Sequence, residues 1–286
     1  MSLNPFCRFT RRFLTAAFFL AALQGCADIH SRDADDIAAA GALQSEDITT
    51  GPFTLTTYSR IRDINLPITV YIEGDIQGFW PQTDPGTDPM PDDWLGLRLA
   101  AEDPSPNVAY IARPCQFMAD NPECSTEAWS HGKYAEQIVT AMNRAVDHFA
   151  VPFTHPRVNL VGYSGGGAIA AIIATRRKDV VSLRTIAGNM DPAAASRYHA
   201  ADADDDFVDP MLIAYRLKLL PQEHYVGERD TTVPPFITAN FIKAIGPSYC
   251  VRLTYIPMAT HKTGWEQAWK TRAANIPTCN LLSDFK

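Results

Sequence analysis

The sequence predicts an α/β fold in which a mainly parallel β-sheet is covered by helices on both faces. Two observations support this prediction. Segments of β-favouring composition alternate with helical segments over residues 53–276, and such alternation is typical of parallel sheets. In addition, a glycine-rich turn joins a short β-favouring run, Val158–Val161, to an alanine- and isoleucine-rich helix that begins near Ala168. A strand followed by a tight turn and a helix is the repeating unit of this fold class.

Strands are predicted where β-branched and aromatic residues concentrate or alternate with polar ones. Besides Val158–Val161, these segments are Phe53–Ile61, Leu66–Asp75, Val108–Ala112, Val180–Ala187, Glu223–Gly227 and Cys250–Ile256. Helices are predicted where apolar residues recur at helical spacing. Besides the one near Ala168, these segments are Asp93–Glu102, Tyr134–Phe149, Phe236–Ile245 and Gly264–Ala274. Residues 192–220 lie between strands and leave room for only a small lid.

Composition limits the class of protein. The 286 residues are 46% hydrophobic and 20% charged, which is ordinary for one large globular domain. The formal net charge is −7, so the basic surface that nucleic-acid binding requires is not expected.

The first 25 residues have the pattern of a lipoprotein signal peptide. Arg8, Arg11 and Arg12 precede an apolar run, Phe13–Leu23, that is too short to span a membrane comfortably. The run ends in Leu-Gln-Gly-Cys26, which resembles the lipobox of bacterial lipoproteins. This resemblance implies cleavage before Cys26 and acylation of its thiol. The alternatives are an ordinary signal peptide and an apolar helix that happens to contain a cysteine.

Several acyl chains on Cys26 would hold the protein firmly to a membrane, since one chain alone binds only marginally. Ala27 rather than aspartate follows this cysteine, which by the same resemblance favours the outer membrane, facing the periplasm. Residues 26–50 are acidic, alanine-rich and without sustained periodicity, so they are predicted to form a lipidated tether. The globular domain is then expected over residues 51–286.

Export places the remaining cysteines in an oxidising compartment. Cys115, Cys124, Cys250 and Cys279 remain, which is an even number. Three pairings are possible, and the most local one, Cys115–Cys124 with Cys250–Cys279, is predicted. Zinc binding is the alternative use of these thiols, but no C-x-x-C motif or neighbouring histidine pair supports it. Neither a metal nor a cofactor is expected.

The turn before the Ala168 helix has a serine at its centre. Gly162-Tyr-Ser164-Gly165-Gly166 matches the pattern G-x-S-x-G between a strand and a helix. Glycine neighbours allow the helix to pass close to the strand, and the turn would lift the serine hydroxyl out of the sheet. A phosphate-binding turn is a poorer interpretation, because neither G-x-G-x-x-G nor a terminal G-K-[ST] is present. A bystander serine in a structural turn is the other alternative.

A catalytic serine needs a base, and the base needs an orienting carboxylate. Asp230 and His261 follow two later predicted strands, and the carboxyl ends of parallel strands meet at one edge of a sheet. Asp191 also follows a strand and is the alternative acid, while Asp230 could instead be a turn residue that caps a helix. The other histidines are interpreted as surface residues; they are His131, His148, His155, His199 and His224.

The chain resembles the α/β-hydrolase fold over about residues 53–276. The motifs G-Y-S-G-G and G-E-R-D-T-T-V-P and the histidine after the last strand lie where the family places them, in the order Ser164, Asp230, His261. The further motifs Y-I-E-G-D, A-R-P-C-Q and A-G-N-M-D look like those of a poorly characterised group of bacterial α/β-hydrolase lipoproteins. The resemblance implies that Ser164 is the nucleophile, that His261 transfers its proton, and that Asp230 orients the imidazole.

The resemblance also implies an oxyanion site. Its first donor is the amide of Gly165, and its second lies in the loop near Asp75 or Ile76. An acid in this loop, such as Glu73 or Asp75, more often fixes the loop than takes part in catalysis. The expected activity is cleavage of a carboxylic ester or related acyl bond in a small substrate, without a cofactor. A peptidase or thioesterase, or a non-catalytic envelope lipoprotein that uses the fold for binding, are the alternatives.

Overall fold

A computed structural model gives the fold. The residues that it describes are 33–75, 91, 93–117, 121–124, 132–201 and 207–279. Several predicted features lie outside these residues, namely the signal peptide 1–25, Cys26, the first part of the tether and Ile76. Among the residues described, none of the helices combines the length and the apolarity needed to cross a membrane.

The described residues contain one eight-stranded sheet. Its strands in chain order are β1 Gln44–Thr50, β2 Phe53–Ile61, β3 Ile68–Ile72, β4 Asn107–Ile111, β5 Val158–Tyr163, β6 Val180–Ile186, β7 Gln222–Gly227 and β8 Val251–Ile256. In space the order is β1-β2-β4-β3-β5-β6-β7-β8. The six strands from β4 to β8 run parallel, whereas β1 and β2 are antiparallel to their neighbours. The predicted mainly parallel sheet is therefore confirmed, and β5 lies near its centre.

Helices connect and cover the strands. They are α1, which includes residues 33–40, α2 Leu95–Ala101, α3 Glu136–Ala150, α4 Gly165–Arg176, α5 Pro192–Tyr198, α6 Pro210–Ile213, α7 Pro235–Ile245 and α8 Trp265–Trp269. A single 3-10 turn, Ala214–Leu217, continues α6. The predicted helices all occur, although α8 is shorter than predicted, and α5 and α6 occupy the segment predicted as a small lid.

The central strands divide the core into two layers. On β3, Ile68, Val70 and Ile72 belong to the apolar layer that contains α3 and α4, whereas Tyr71 belongs to the layer on the opposite face. Successive side chains of a strand point to opposite faces, so β3 is buried on both. Helices therefore pack directly on both faces of the sheet. This packing limits where the loops between strands and helices can lie.

The folded domain begins before residue 51, so the predicted extent of the tether is wrong. Residues 44–50 form β1, which pairs with β2 along its whole length. Ahead of it, Ala34 and Ala38 of α1 are buried in the core. The strand is not predicted from the sequence because it lies at the edge of the sheet and exposes five of its seven residues. Only Ile48 and Thr50 are buried. An edge strand with so few apolar residues has the composition of a linker.

Both predicted disulfides are present. Cys115–Cys124 closes the loop that follows β4, and Cys250–Cys279 joins the start of β8 to the C-terminal segment. The two bonds span sequence separations of 9 and 29 residues. Because a cross-link stabilises chiefly by restricting the unfolded chain, the second should contribute more.

We predict that replacing Cys250 and Cys279 together with alanine lowers the free energy of unfolding by roughly 3–4 kcal/mol, and replacing Cys115 and Cys124 by roughly 2–3 kcal/mol. Urea denaturation of the two double variants and the wild type measures both values. Equal losses, or the reverse order, would contradict this explanation. Free thiols in non-reducing peptide maps would contradict the pairing itself.

Candidate active site

Ser164 occupies a strained turn between β5 and α4. Its backbone angles are φ 51° and ψ −124°, a region that residues with a side chain rarely adopt. Three backbone hydrogen bonds hold it there. Its amide donates to Ile186 O at 2.9 Å, and its carbonyl accepts from Gly167 N at 3.0 Å and Asn189 N at 2.9 Å. The turn is thus fixed from both β6 and α4, which holds the hydroxyl at the carboxyl end of β5.

The glycines around Ser164 are required by close packing. A Cβ at Gly162 would lie 2.3 Å from Gly166 O, and a Cβ at Gly166 would lie 2.3 Å from Ile72 O. No side chain fits at such distances, so α4 passes directly against β5 and the end of β3. This is the mechanical role that the sequence motif predicts for its glycines.

Asp230 lies three residues after β7, and its side chain is fully buried. One carboxylate oxygen, Oδ1, accepts hydrogen bonds from Thr232 N at 2.9 Å and Val233 N at 2.8 Å. The other, Oδ2, lies 2.8 Å from His261 Nδ1. One oxygen thus forms a turn while the other faces the histidine. Asp230 does not cap the following helix, α7, whose N-cap is Pro234.

His261 lies five residues after β8 and joins the other two predicted residues. Its Nε2 is 3.0 Å from Ser164 Oγ. Its backbone carbonyl accepts hydrogen bonds from Trp265 Nε1 at 3.0 Å and from the hydroxyl of Tyr163 at 3.3 Å. With Nδ1 donating to Asp230, Nε2 is the nitrogen that can accept the serine proton. The structure thus places the three side chains in one hydrogen-bonded series.

Asp191, the alternative acid, has other partners. Its Oδ1 accepts from Ala194 N at 3.0 Å and caps α5, and its Oδ2 accepts from Asn240 Nδ2 at 2.9 Å. Asp191 therefore fixes a helix start beside the site, and the carboxylate hydrogen-bonded to His261 is that of Asp230.

His224 is buried rather than exposed, which corrects the interpretation of this residue as a surface histidine. It lies on β7, with Nδ1 2.8 Å from Thr185 Oγ1 and Nε2 3.2 Å from Gln222 Oε1. Burial lowers the pKa of His224 to about 3, so the ring is neutral at physiological pH. It is a structural histidine that links two strands within the core.

The loop after β3 packs against the turn at Ser164. A Cβ at Gly74 would lie 3.0 Å from the Cβ of Ser164, and a Cβ at Gly165 would lie 2.2 Å from Asp75 Oδ2. Gly165 opens α4, so its amide belongs to the helix N-terminus, where the helix dipole favours negative charge. Gly165 and Asp75 are thus adjacent, while Ile76 lies outside the described residues.

Two buried carboxylates flank Gly74, and their surroundings differ. Glu73 accepts hydrogen bonds from Gly74 N at 2.8 Å and from the hydroxyl of Tyr110 at 2.9 Å. Burial raises the pKa of Glu73 to about 7, against the effect of these hydrogen bonds, and the charge of Asp93 adds to the rise. Glu73 is therefore partly protonated near neutral pH.

Asp75 is surrounded by donors and cations. It accepts hydrogen bonds from Arg113 Nη1 at 2.9 Å and from the hydroxyl of Tyr134 at 2.5 Å, and Lys133 Nζ lies 3.7 Å away. Burial alone would raise the pKa of Asp75, but Lys133 and Arg113 outweigh burial and hold the pKa below its usual value. Asp75 is therefore a charged carboxylate in a nearly enclosed position.

No role is predicted from the sequence for Arg113, Tyr134 or Asn189. Three sequence motifs nevertheless converge here, since Asp75 lies in Y-I-E-G-D, Arg113 in A-R-P-C-Q and Asn189 in A-G-N-M-D. Their contacts join loops far apart in the chain, so only the shared resemblance of the three motifs could have indicated them. Among the described residues, no group of three or more histidines, cysteines or acids is arranged to hold a metal ion.

Comparison with known proteins identifies the fold. No protein-family model matches the sequence, and no curated protein matches it either. The structure is similar to a membrane phospholipase A described as a bacterial virulence factor, with 16% identity and a TM-score of 0.56 over 93% of this chain and 100% of that one.

Two further solved structures are similar. An esterase from Pyrococcus furiosus matches with 12% identity and a TM-score of 0.55 over 80% of this chain and 88% of that one. A dienelactone hydrolase from Anabaena variabilis matches with 16% identity and a TM-score of 0.54 over 81% and 93%. The chain therefore has the α/β-hydrolase fold, as the resemblance in its motifs implies.

We predict that Glu73→Gln stabilises the protein more at pH 8.5 than at pH 5.5. A raised pKa means that the folded state favours the protonated acid, so wild-type stability falls as the pH rises from about 4.5 to about 7. Glutamine resembles the protonated acid and escapes this loss. Between pH 5.5 and pH 8.5 the difference in unfolding free energy between variant and wild type should grow by about 2 kcal/mol.

Urea denaturation at several pH values measures this difference. Glu136→Gln is the control, because the hydrogen bond from Arg176 lowers the pKa of Glu136, so its contribution changes only at lower pH. A constant difference for Glu73→Gln between pH 5.5 and 8.5 would contradict the raised pKa.

Proposed function

We propose that the protein is a serine hydrolase that cleaves a carboxylic ester or related acyl bond through an acyl-enzyme formed on Ser164. The observation that supports this proposal is the hydrogen-bonded series from Ser164 through His261 to Asp230. An esterase and a dienelactone hydrolase are among the proteins of the same fold. Fold alone does not define activity, so the proposal depends on the arrangement of these three side chains.

In the proposed reaction, Ser164 Oγ attacks the acyl carbon while His261 Nε2 takes its proton. The imidazolium that forms is stabilised by Asp230, whose Oδ2 accepts a hydrogen bond from Nδ1–H. His261 then gives the proton to the leaving group, and the acyl-enzyme remains. Water attacks this intermediate by the same steps and releases the acid.

The negative charge on the former carbonyl oxygen requires preorganised donors. We propose the amide of Gly165 as one of them, with a second amide from the loop at Asp75 or Ile76. The position of Gly165 at the start of α4 supports this assignment, because the helix N-terminus favours an anion. No cofactor takes part in the proposed reaction.

The strain at Ser164 favours an enzyme over a non-catalytic binding module. Holding a residue with a side chain at this φ costs on the order of 1–3 kcal/mol, and a protein that used only its surface would gain nothing from it. The fully buried carboxylate of Asp230, aimed at an imidazole, is likewise costly unless it has a role.

We predict that Ser164→Ala, His261→Ala and the double variant share nearly the same residual rate, because residues that act as one unit are not additive. Asp230→Asn should keep the fold yet lower turnover by on the order of 10⁴, since the imidazole then takes the wrong tautomer. Asp191→Asn alters a helix cap and the hydrogen bond from Asn240, neither of which involves His261, and should lower turnover far less. Hydrolysis of p-nitrophenyl acetate and butyrate measures the rates, and melting temperatures control for folding.

Two further measurements separate the alternatives. A fluorophosphonate probe should label the wild type but not Ser164→Ala, and unlabelled wild type would favour the binding module. Matched anilide and thioester substrates test for a peptidase or a thioesterase. If Asp191→Asn inactivated the protein and Asp230→Asn did not, the acid would be misassigned.

We further propose that the protein is a lipoprotein anchored through Cys26 in the bacterial envelope, on the outer membrane and facing the periplasm. The resemblance of Leu-Gln-Gly-Cys26 to a lipobox supports this. A similar solved structure is itself named a membrane phospholipase, and two disulfides fit an oxidising compartment.

We predict that Cys26→Ser abolishes acylation and moves the protein from the membrane fraction to the soluble fraction. Intact mass of the mature wild-type protein should show a lipidated N-terminus at Cys26, and membrane fractionation should place it with the outer membrane. Cys7→Ser is the control, because this cysteine would be removed with the signal peptide. A wild-type mass without lipid, or a start at another residue, would contradict the proposal.

A further inference from the structure

The side chain of Asp75 fills the space beside the first residue of α4. Its Oδ2 would lie only 2.2 Å from a Cβ at Gly165. The preceding residue, Gly74, packs on Ser164 in the same way, since a Cβ added at Gly74 would lie 3.0 Å from the Cβ of Ser164. The loop after β3 therefore contacts the turn at Ser164 through two consecutive residues, Gly74 and Asp75. Any movement of this loop would change the space in which the oxyanion must form.

Asp75 is held by residues from two other loops. Arg113 Nη1 and the hydroxyl of Tyr134 donate to it at 2.9 Å and 2.5 Å. Tyr134 in turn accepts from Asn189 Nδ2 at 3.1 Å, and the backbone amide of Asn189 donates to Ser164 O at 2.9 Å. These hydrogen bonds form a chain from Ser164 to Asp75. The close packing of Asp75 on Gly165 brings this chain back to the turn at Ser164, so Asp75 joins the β3 loop to that turn.

A carboxylate in this position would oppose the proposed reaction if it were alone. The transition state of acyl transfer carries negative charge near the Gly165 amide, and like charges repel strongly where water is scarce. The side chain of Asp75 is only 9% exposed. Arg113, at 2.9 Å, is 5% exposed, and Lys133 lies at 3.7 Å. The cations are thus placed to neutralise a charge that solvent does not screen.

We propose that Asp75 is a positioning residue for the oxyanion site and that Arg113, together with Lys133, offsets its charge. The inference rests on the proposed hydrolase function. Asp75 holds the β3 loop and the start of α4 in fixed relation, and Arg113 both orients this carboxylate and cancels its field at the oxyanion. Both residues act on the transition state through their neighbours, without touching the substrate.

The test compares Asp75→Asn, Arg113→Gln and the double variant on p-nitrophenyl butyrate. Arg113→Gln leaves a buried carboxylate beside the oxyanion, so kcat should fall about 100-fold with KM changed less than about threefold. Asp75→Asn loses the charge and one of the two acceptor oxygens, and should cost about tenfold in kcat. In the double variant the opposing charge is gone, so kcat should recover to about the level of Asp75→Asn. Binding of a boronic acid, which mimics the tetrahedral intermediate, should weaken in parallel with kcat/KM.

Two further variants control for folding. Asp103→Asn removes a buried carboxylate that accepts a hydrogen bond from the Tyr71 hydroxyl at 2.6 Å. Within the part of the chain that the structure describes, Asp103 has no contact with the turn at Ser164, so kcat should stay within about twofold of wild type. Arg113→Lys keeps the positive charge and should retain much more activity than Arg113→Gln. Equal losses in these two Arg113 variants, or a double variant worse than Arg113→Gln, would overturn the role of the charge.

The outcomes also separate this inference from the function on which it rests. If turnover depends on Ser164 while Asp75→Asn and Arg113→Gln both keep wild-type kcat, the inference fails and the hydrolase proposal stands. If the wild type shows neither Ser164-dependent turnover nor labelling by a fluorophosphonate, the hydrolase proposal fails and this inference fails with it.

Discussion

The backbone conformation of Ser164 is the constraint on which the rest of the site depends. A residue with a side chain at φ 51° is stable only where its surroundings over-determine it. Here the surroundings are hydrogen bonds from β6 and α4, and glycines that bring α4 against β5 and β3. The same closeness requires α4 to be buried on every side, and Gly165–Ala174 are accordingly all buried. A helix with this environment has no polar face, which explains its run of alanine and isoleucine.

The parallel strands determine which residues can meet at this turn. Asp75, Asn189, Asp230 and His261 follow β3, β6, β7 and β8, so all four come from loops at the same edge of the sheet. Three buried carboxylates at this edge are stabilised in different ways. Glu73 is driven towards the protonated form, Asp75 is balanced by cations, and Asp230 is held by backbone amides and an imidazole.

Much of the fold and of the site can be predicted from sequence because the signals are local. Alternating strands and helices define the sheet, and the glycines around Ser164 follow from one turn. The choice between Asp230 and Asp191 is harder, since both follow strands, and only their partners in space differ. The bond between Asp75 and Tyr134 joins residues 59 positions apart and leaves no periodic pattern. The edge strand β1 is missed even though it is a local element, because its mostly exposed residues have the composition of a linker.

The inclusion of α1 and β1 in the domain shortens the chain that would separate the domain from a lipid anchor at Cys26. A tether over residues 26–50 would allow the globular part to move roughly 80–90 Å from its lipid, at about 3.3–3.6 Å per extended residue. With residue 33 already in α1, an acylated Cys26 would leave at most roughly 25 Å of chain. So short a reach would keep the domain beside the bilayer surface with restricted rotation. Molecules in the membrane or close to it would then meet the proposed site far more often than those free in the surrounding space.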